Sequence, residues 1–204
     1  MAALACDRAW LVRPGAAALT LVVDGVDFTG AREDLLQTVA GDNSSHDLTI
    51  TGNNFHNGHA NIVSGGGVGS GAVLEAVVSG NIVAELGDFT LAAFYALVGG
   101  TGSDFARLGL DMTDNTFDAS DADFGLNAVL LDQISPDAFF HFPGYAGSPD
   151  GELNGGTAST DIAAFLATQG NTLVDPPFAA YPGGVYAEFV FGVTGDLFTL
   201  PAWP

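Results

Sequence analysis

The sequence predicts an all-β solenoid, a single-domain chain coiled on itself so that short parallel strands stack. Three observations predict it. A five-residue motif recurs, with an anchor that is usually Asn and a large apolar residue two places on. It reads Asp24-Gly25-Val26-Asp27-Phe28, Thr51-Gly52-Asn53-Asn54-Phe55, Ser79-Gly80-Asn81-Ile82-Val83, Thr113-Asp114-Asn115-Thr116-Phe117 and Gln169-Gly170-Asn171-Thr172-Leu173. The anchors lie 27, 28, 34 and 56 residues apart, the last being twice 28, and a period of that size marks stacked repeat units. Finally, the first four motifs each follow an alternating or apolar run, and glycine-rich corners separate those runs.

Taken in order, residues 1–17 carry no motif and read as a leader or cap. The apolar run at residues 2–6 is broken by Asp7 and Arg8, too short for a signal-peptide core. No stretch approaches the roughly 18 apolar residues of a membrane span, so membrane insertion is not expected. Because the repeat is already running near residue 20, the chain reads as a piece of a longer one. The coils are expected over 18–150, with strands at 19–23, 48–50, 60–63, 74–78, 89–98, 108–112, 128–134 and 138–142. Corners fall at 64–71, 99–102 and 144–147, where glycine supplies positive φ and close backbone approach. Residues 31–40 (AREDLLQTVA) form a weaker helical candidate. A capping segment spans 151–204 in the same domain. In it, Thr160 as N-cap, Asp161 in the first turn and Gly170 as a stop predict a helix over about 160–168. Its stripe of Ile162, Phe165 and Leu166 would pack on the end of the stack. The helix and a further rung at Asn171 compete for this stretch, and the helix is preferred. Residues 185–191 alternate like one last strand.

In a parallel stack, equivalent positions of successive coils lie about 4.8 Å apart. Asn53, Asn81 and Asn115 would therefore form a ladder of amide hydrogen bonds at one corner. Phe28, Phe55, Val83 and Phe117, two residues beyond each anchor, would stack inside. The GNNF, SGNIV and DNTF motifs, placed after strands and before glycine corners, resemble the right-handed parallel β-helix. More narrowly, the chain is similar over about residues 18–180 to the repeat region of large secreted bacterial surface or adhesin-like proteins. Residues 138–147 followed by 162–169 resemble the closing portion of such regions. The resemblance implies a structural or adhesion role at the cell surface or outside the cell, with carbohydrate or another surface ligand as partner. Val26 in place of Asn departs from the pattern.

Composition narrows the partners. Nineteen Asp and five Glu face four Arg (Arg8, Arg13, Arg32, Arg107) and no Lys, a formal charge of −20. Nucleic acid and anionic membrane both require basic patches and are not expected. Such acidity favours solubility, self-repulsion and divalent cations, and a salt-rich habitat would select the same balance. Cys6 is the single cysteine, so no intrachain disulfide forms.

Candidate chemistry is sparse, and no cofactor is expected beyond calcium. The run from Gly99 to Asp104 resembles one copy of the calcium-binding nonapeptide of RTX-type proteins, which take ligands from two adjacent repeats. Asp118, Asp121 and Asp123 cluster after the Asn115 corner, but a solvated acidic loop is the preferred reading of them and a glycine corner of Asp104. Polysaccharide-processing enzymes share the resembled fold. An inverting hydrolase needs carboxyls about 6.5–9.5 Å apart, for which Asp111 with Asp114 or Asp132 is the candidate set. The Asn-Thr-Asp, Asp-Asp, Gly-His-Gly and Arg-Ile-Lys motifs of galacturonases are absent, and a lyase would lack a basic proton acceptor other than Arg107. His46, His56, His59 and His141 read as exposed loop residues, with no third ligand evident for a metal. The preferred reading is a structural β-helix segment. A polysaccharide-active hydrolase or lyase, and a filament subunit that self-associates end to end, are the alternatives.

Overall fold

The computed structural model describes residues 3–5, 10–13, 17–30, 34–58, 63–67, 71–87, 90–99, 105–122, 125, 127–135, 137–147, 157–179 and 182–189. Among these the chain forms seventeen strands and one helix. Three parallel sheets result. Sheet I stacks β1 (Ala3–Ala5), β4 (Asp27–Thr29), β7 (Asn54–His56), β10 (Ile82–Val83), β13 (Thr116–Asp118) and β16 (Thr172–Val174). Sheet II stacks β2 (Trp10–Arg13), β5 (Leu36–Ala40), β8 (Val63–Gly67), β11 (Ala92–Val98), β14 (Asn127–Gln133) and β17 (Val185–Phe189). Sheet III stacks β3 (Ala18–Asp24), β6 (Ser45–Thr51), β9 (Val73–Ser79), β12 (Arg107–Thr113) and β15 (Phe139–His141). Every strand pairs with the one three places along. The chain visits sheets I, II and III five times, then, after α1 (Thr157–Thr168), sheets I and II once more.

The alternation seen in the sequence becomes burial. In sheet III, Leu19, His46, Leu74, Leu108 and Phe140 share one register row, and Val23, Ile50, Val78 and Met112 another. From the second coil onward these side chains are buried. In sheet I the rings of Phe28 and Phe55 stack with centroids 4.7 Å apart and planes 7° from parallel. Phe55, Val83 and Phe117 follow in register and are fully buried.

Several expectations change. Residues 36–40 are strand β5 rather than helix, with Leu36, Thr38 and Ala40 buried in alternation. Pairing with β2 on one side and β8 on the other overrides the local helix formers. Residues 63–67, read partly as a glycine corner, are strand β8. A Cβ added to Gly66 would lie 2.9 Å from the carbonyl oxygen of Leu97, so glycine here permits strand approach rather than a turn. Parallel pairing also starts upstream of residue 18, since β1 and β2 join sheets I and II. The helix begins at Thr157, placing Thr160 inside it rather than at its cap.

Helix and rung prove compatible. Asn171 is hydrogen-bonded directly to Asn115, so the 56-residue spacing is one coil enlarged by α1, not two periods. Gly170, at φ 83°, donates to the Ala167 carbonyl, and the Asn171 amide to that of Leu166. These two bonds make the Schellman stop that glycine favours, and the stop delivers Asn171 to its corner. Ile162 and Leu166 are fully buried against the main core. Phe165 meets Tyr145 and Phe142 edge-on, at centroid distances of 5.5 and 6.4 Å. Burial and the neighbouring Asp161 push the Tyr145 hydroxyl up to about 12.

Candidate functional site

Two constellations are built by the register of the coils. The first is structural. The Asn53 side-chain amide donates to Asn81 Oδ1 at 2.9 Å, that of Asn81 to Asn115 Oδ1 at 2.9 Å, and that of Asn115 to Asn171 Oδ1 at 2.8 Å. Each Oδ1 also accepts a backbone N–H, from Asn53, Asn81 and Asn115 in turn. The same amides donate back to the carbonyls of Val23, Ile50, Val78 and Met112, which share a single row of sheet III. At Val26, which has no amide side chain, only the backbone half of the pattern remains, its N–H donating to Asn53 Oδ1 at 2.9 Å. All four Asn are buried, so each internal donor and acceptor is matched where water cannot reach.

The second lies on the outer face of sheet III. Thr20, Asp47, Glu75, Gly109 and His141 form one row across five strands, and Val22, Thr49, Val77 and Asp111 form the next. Gly109 contributes no side chain, and its two register partners are Glu75 and His141. Those residues therefore flank a gap one strand wide, with their Cα atoms about 10 Å apart. The gap opens into a recess of about 330 Å³ whose lining includes Asp47, Glu75, Val77, Asp111, His141 and Pro143, at the small end of the range for ligand pockets. Burial, and then the adjacent Asp47 charge, raise the Glu75 carboxyl above its ordinary value. Burial alone lowers His141. Both shifts favour the neutral form, the condition in which an acid can donate a proton and an imidazole accept one.

Of the catalytic carboxylates singled out in the sequence, Asp111, Asp114 and Asp132 stand on β12, at the corner after it and on β14 respectively. Asp111 lines the recess. Asp132 belongs to β14 of sheet II, where the Tyr95 hydroxyl donates to it at 3.2 Å. Asp114 turns the corner before Asn115 with φ 56°. Asp118 accepts the Ser120 N–H within its own loop, and Asp121 is exposed. Among the described residues no three His, Cys, Asp or Glu side chains gather to hold a metal ion. Asp104, Asp123, His59 and Cys6 lie outside the described residues.

The histidines also differ from expectation. His46 points into the core row and is fully buried. His56 ends β7, with Nε2 2.8 Å from Asp27 Oδ1 and Nδ1 3.5 Å from Glu85 Oε2, bridging three coils. His141 stands beside the recess on β15, within the strand expected over 138–142.

Sequence reasoning missed Asp47 and Glu75, although a signal existed. Counting six residues back from each of the first four anchors gives Thr20, Asp47, Glu75 and Gly109. That offset holds while the corner between sheets III and I keeps its length. No protein-family model matches the chain. No curated protein and no solved structure matches it.

Proposed function

We propose that the chain is a right-handed parallel β-helix serving as a rigid, acidic scaffold segment of a secreted or cell-surface protein, contacting carbohydrate through the recess on sheet III. The observation that carries this reading is the unbroken ladder from Asn53 through Asn81 and Asn115 to Asn171. A corner repeated with one hydrogen-bond pattern converts an ordinary chain into a stack whose length and direction are fixed, which is what a display segment requires. The outer face of sheet III then offers an ordered row of carboxylates and hydroxyls, groups that meet sugar hydroxyls well.

The test is made on intact cells that produce the protein. Brief protease treatment should release its peptides into the medium, and beads carrying the purified chain should adhere to glycan-coated surfaces. Peptides recovered only after lysis would overturn the surface assignment.

A polysaccharide-active enzyme is a second reading, and one observation favours it. Glu75 and His141 face each other across Gly109 with opposite shifts, suited to general acid and general base. Release of reducing ends from a polysaccharide panel, lost in both Glu75→Gln and His141→Gln, would favour it; silence across the panel would leave the scaffold. End-to-end filament growth has less behind it, because α1 takes the last backbone donor of the ladder, Asn171 N–H, onto the Leu166 carbonyl.

A further inference from the structure

We propose that the recess over Gly109 is a subsite for an amine-bearing sugar unit of a glycan, with Asp47 and Glu75 holding the ammonium group. The inference rests on the carbohydrate contact proposed above and names its chemical class.

Charge complementarity selects the class. Asp47 and Glu75 occupy the same register position on adjacent strands, so their Cα atoms lie about 4.8 Å apart. An ammonium group placed between them can donate to both carboxylates, giving short, charge-assisted hydrogen bonds. Asp111 stands one pleat further on in the neighbouring strand, where it can accept ring hydroxyls. The chain contains no Lys and has a net charge of −20, so a uronate or sulfated sugar would approach against both the local and the overall field.

Shape argues for a ring rather than a bare amine. Val77 and Pro143 supply apolar lining next to the carboxylates, a surface for the C–H face of a pyranose that a small, fully hydrated cation has no use for. The missing side chain at Gly109 provides the depth. His141 on the far flank is held neutral by burial, so it accepts or donates a hydroxyl hydrogen bond without repelling the ammonium group.

The experiment is calorimetric titration of the full chain with four oligomers of equal length: β-linked glucosamine, its N-acetylated form, galacturonate and lysine. Three variants accompany the parent: Glu75→Gln, Gly109→Val to fill the recess, and Asp121→Asn as an exposed control outside it. Circular dichroism checks that each variant folds, and the near-isosteric Glu75→Gln keeps the test alive if Gly109→Val does not. The expected result is that the glucosamine oligomer binds, weakened about tenfold or more by Glu75→Gln, abolished by Gly109→Val and unchanged by Asp121→Asn. Equal weakening by Asp121→Asn would mean diffuse attraction to the acidic surface and would overturn the site. Lysine oligomers binding as well, with the same sensitivities, would overturn the sugar. If the N-acetylated form binds equally, the amine requirement fails while carbohydrate contact survives. If none of the three glycans binds, the amine subsite and the carbohydrate contact both fall.

Discussion

At the corner before each anchor the backbone must turn left-handed. Gly25, Gly52, Gly80 and Gly170 do so with φ of 64°, 61°, 63° and 83°, whereas Asp114 does it at 56°. The backbone N–H groups of Gly25, Gly52, Gly80 and Asp114 each donate at 3.0 Å to the equivalent carbonyl of the next coil. A left-handed non-glycine residue costs about 1–2 kcal/mol, and Asp tolerates it better than most. Gly80→Ala should thus lower stability by about 1 kcal/mol, because a Cβ there meets no heavy atom nearer than 4.0 Å and only the conformational cost remains. Asp114→Gly should fall between neutral and about 1 kcal/mol more stable, the entropy of an added glycine offsetting part of the gain. Thermal melts of the pair check this, and an Asp114→Gly chain that loses activity or binding while keeping its stability would return a functional role to that carboxylate. Glu75 gives a second prediction at this scale. Its pKa is raised in the fold above the ordinary 4.5, so its contribution to stability is present below that value and lost as pH rises through the folded pKa. Glu75→Gln should therefore be more stable than the parent at pH 7, by about 0.5 kcal/mol for so exposed a group. The advantage should vanish in denaturant titrations below pH 4. His141, lowered by burial, loses stability as pH falls from its ordinary 6.5 through its folded value, but it does so in both chains.

For the strands and the helix, two side chains of successive coils separate what hydrogen bonding and packing contribute. Asn81→Ala removes an amide that serves Asn53, Asn115 and the Ile50 carbonyl, stranding the buried Asn53 N–H. Each stranded group costs about 1–3 kcal/mol, and for a chain of this size each kcal/mol lowers the melting temperature by about 2–4 °C. Phe55→Ala removes a fully buried ring stacked on Phe28 and should cost about 3–5 kcal/mol. An unchanged melt would remove Phe55 from the interior; an unchanged Asn81→Ala melt would make the ladder ornamental. The positions of these residues were legible because anchor, period-two burial and stacking all repeat in the primary sequence. What was not legible has physical reasons. Strand β5 contains Leu36 and Gln37, ordinary helix formers, and only its neighbours β2 and β8 make it a strand. The triglycine stretch of β8 carries no pattern for a periodicity argument to detect. Asp175, which no motif marks, accepts from Ala128 N–H and from the N–H groups of Gly183 and Gly184, tying the last strands together. Those partners lie eight to 47 residues away, beyond the reach of local spacing. The recess is of the same kind, since Glu75 and His141 become neighbours only through Gly109.

Over the whole molecule the governing quantity is charge. Parallel, in-register stacking places equivalent residues of successive coils side by side, so like residues in successive repeats become like charges in contact. Asp47 beside Glu75 is the instance on sheet III. At the end of β7, His56 stands between Asp27 and Glu85, with Nε2 2.8 Å from Asp27 Oδ1. With 24 acidic residues and four arginines, few such pairs can be relieved from within, and the fold carries a standing repulsion that the Asn ladder and the aromatic stack must outweigh. Dissolved salt can relieve it instead. The screening length falls from about 30 Å at 0.01 M to about 3 Å at 1 M, shorter than the spacing of coils. The melting temperature should consequently rise steadily as sodium chloride increases over that range, with most of the gain below about 0.15 M, where the screening length has already shrunk to about 8 Å. Glu75→Gln should show a shallower rise, having already lost one member of a repelling pair. Replacing sodium chloride with an equal osmolality of sucrose separates screening from preferential exclusion, because sucrose stabilises without screening. A melting temperature that is flat in salt but rises in sucrose would mean that the carboxylates are spaced widely enough to ignore one another. The acidity would then have to be explained by partners rather than by the fold's tolerance of it.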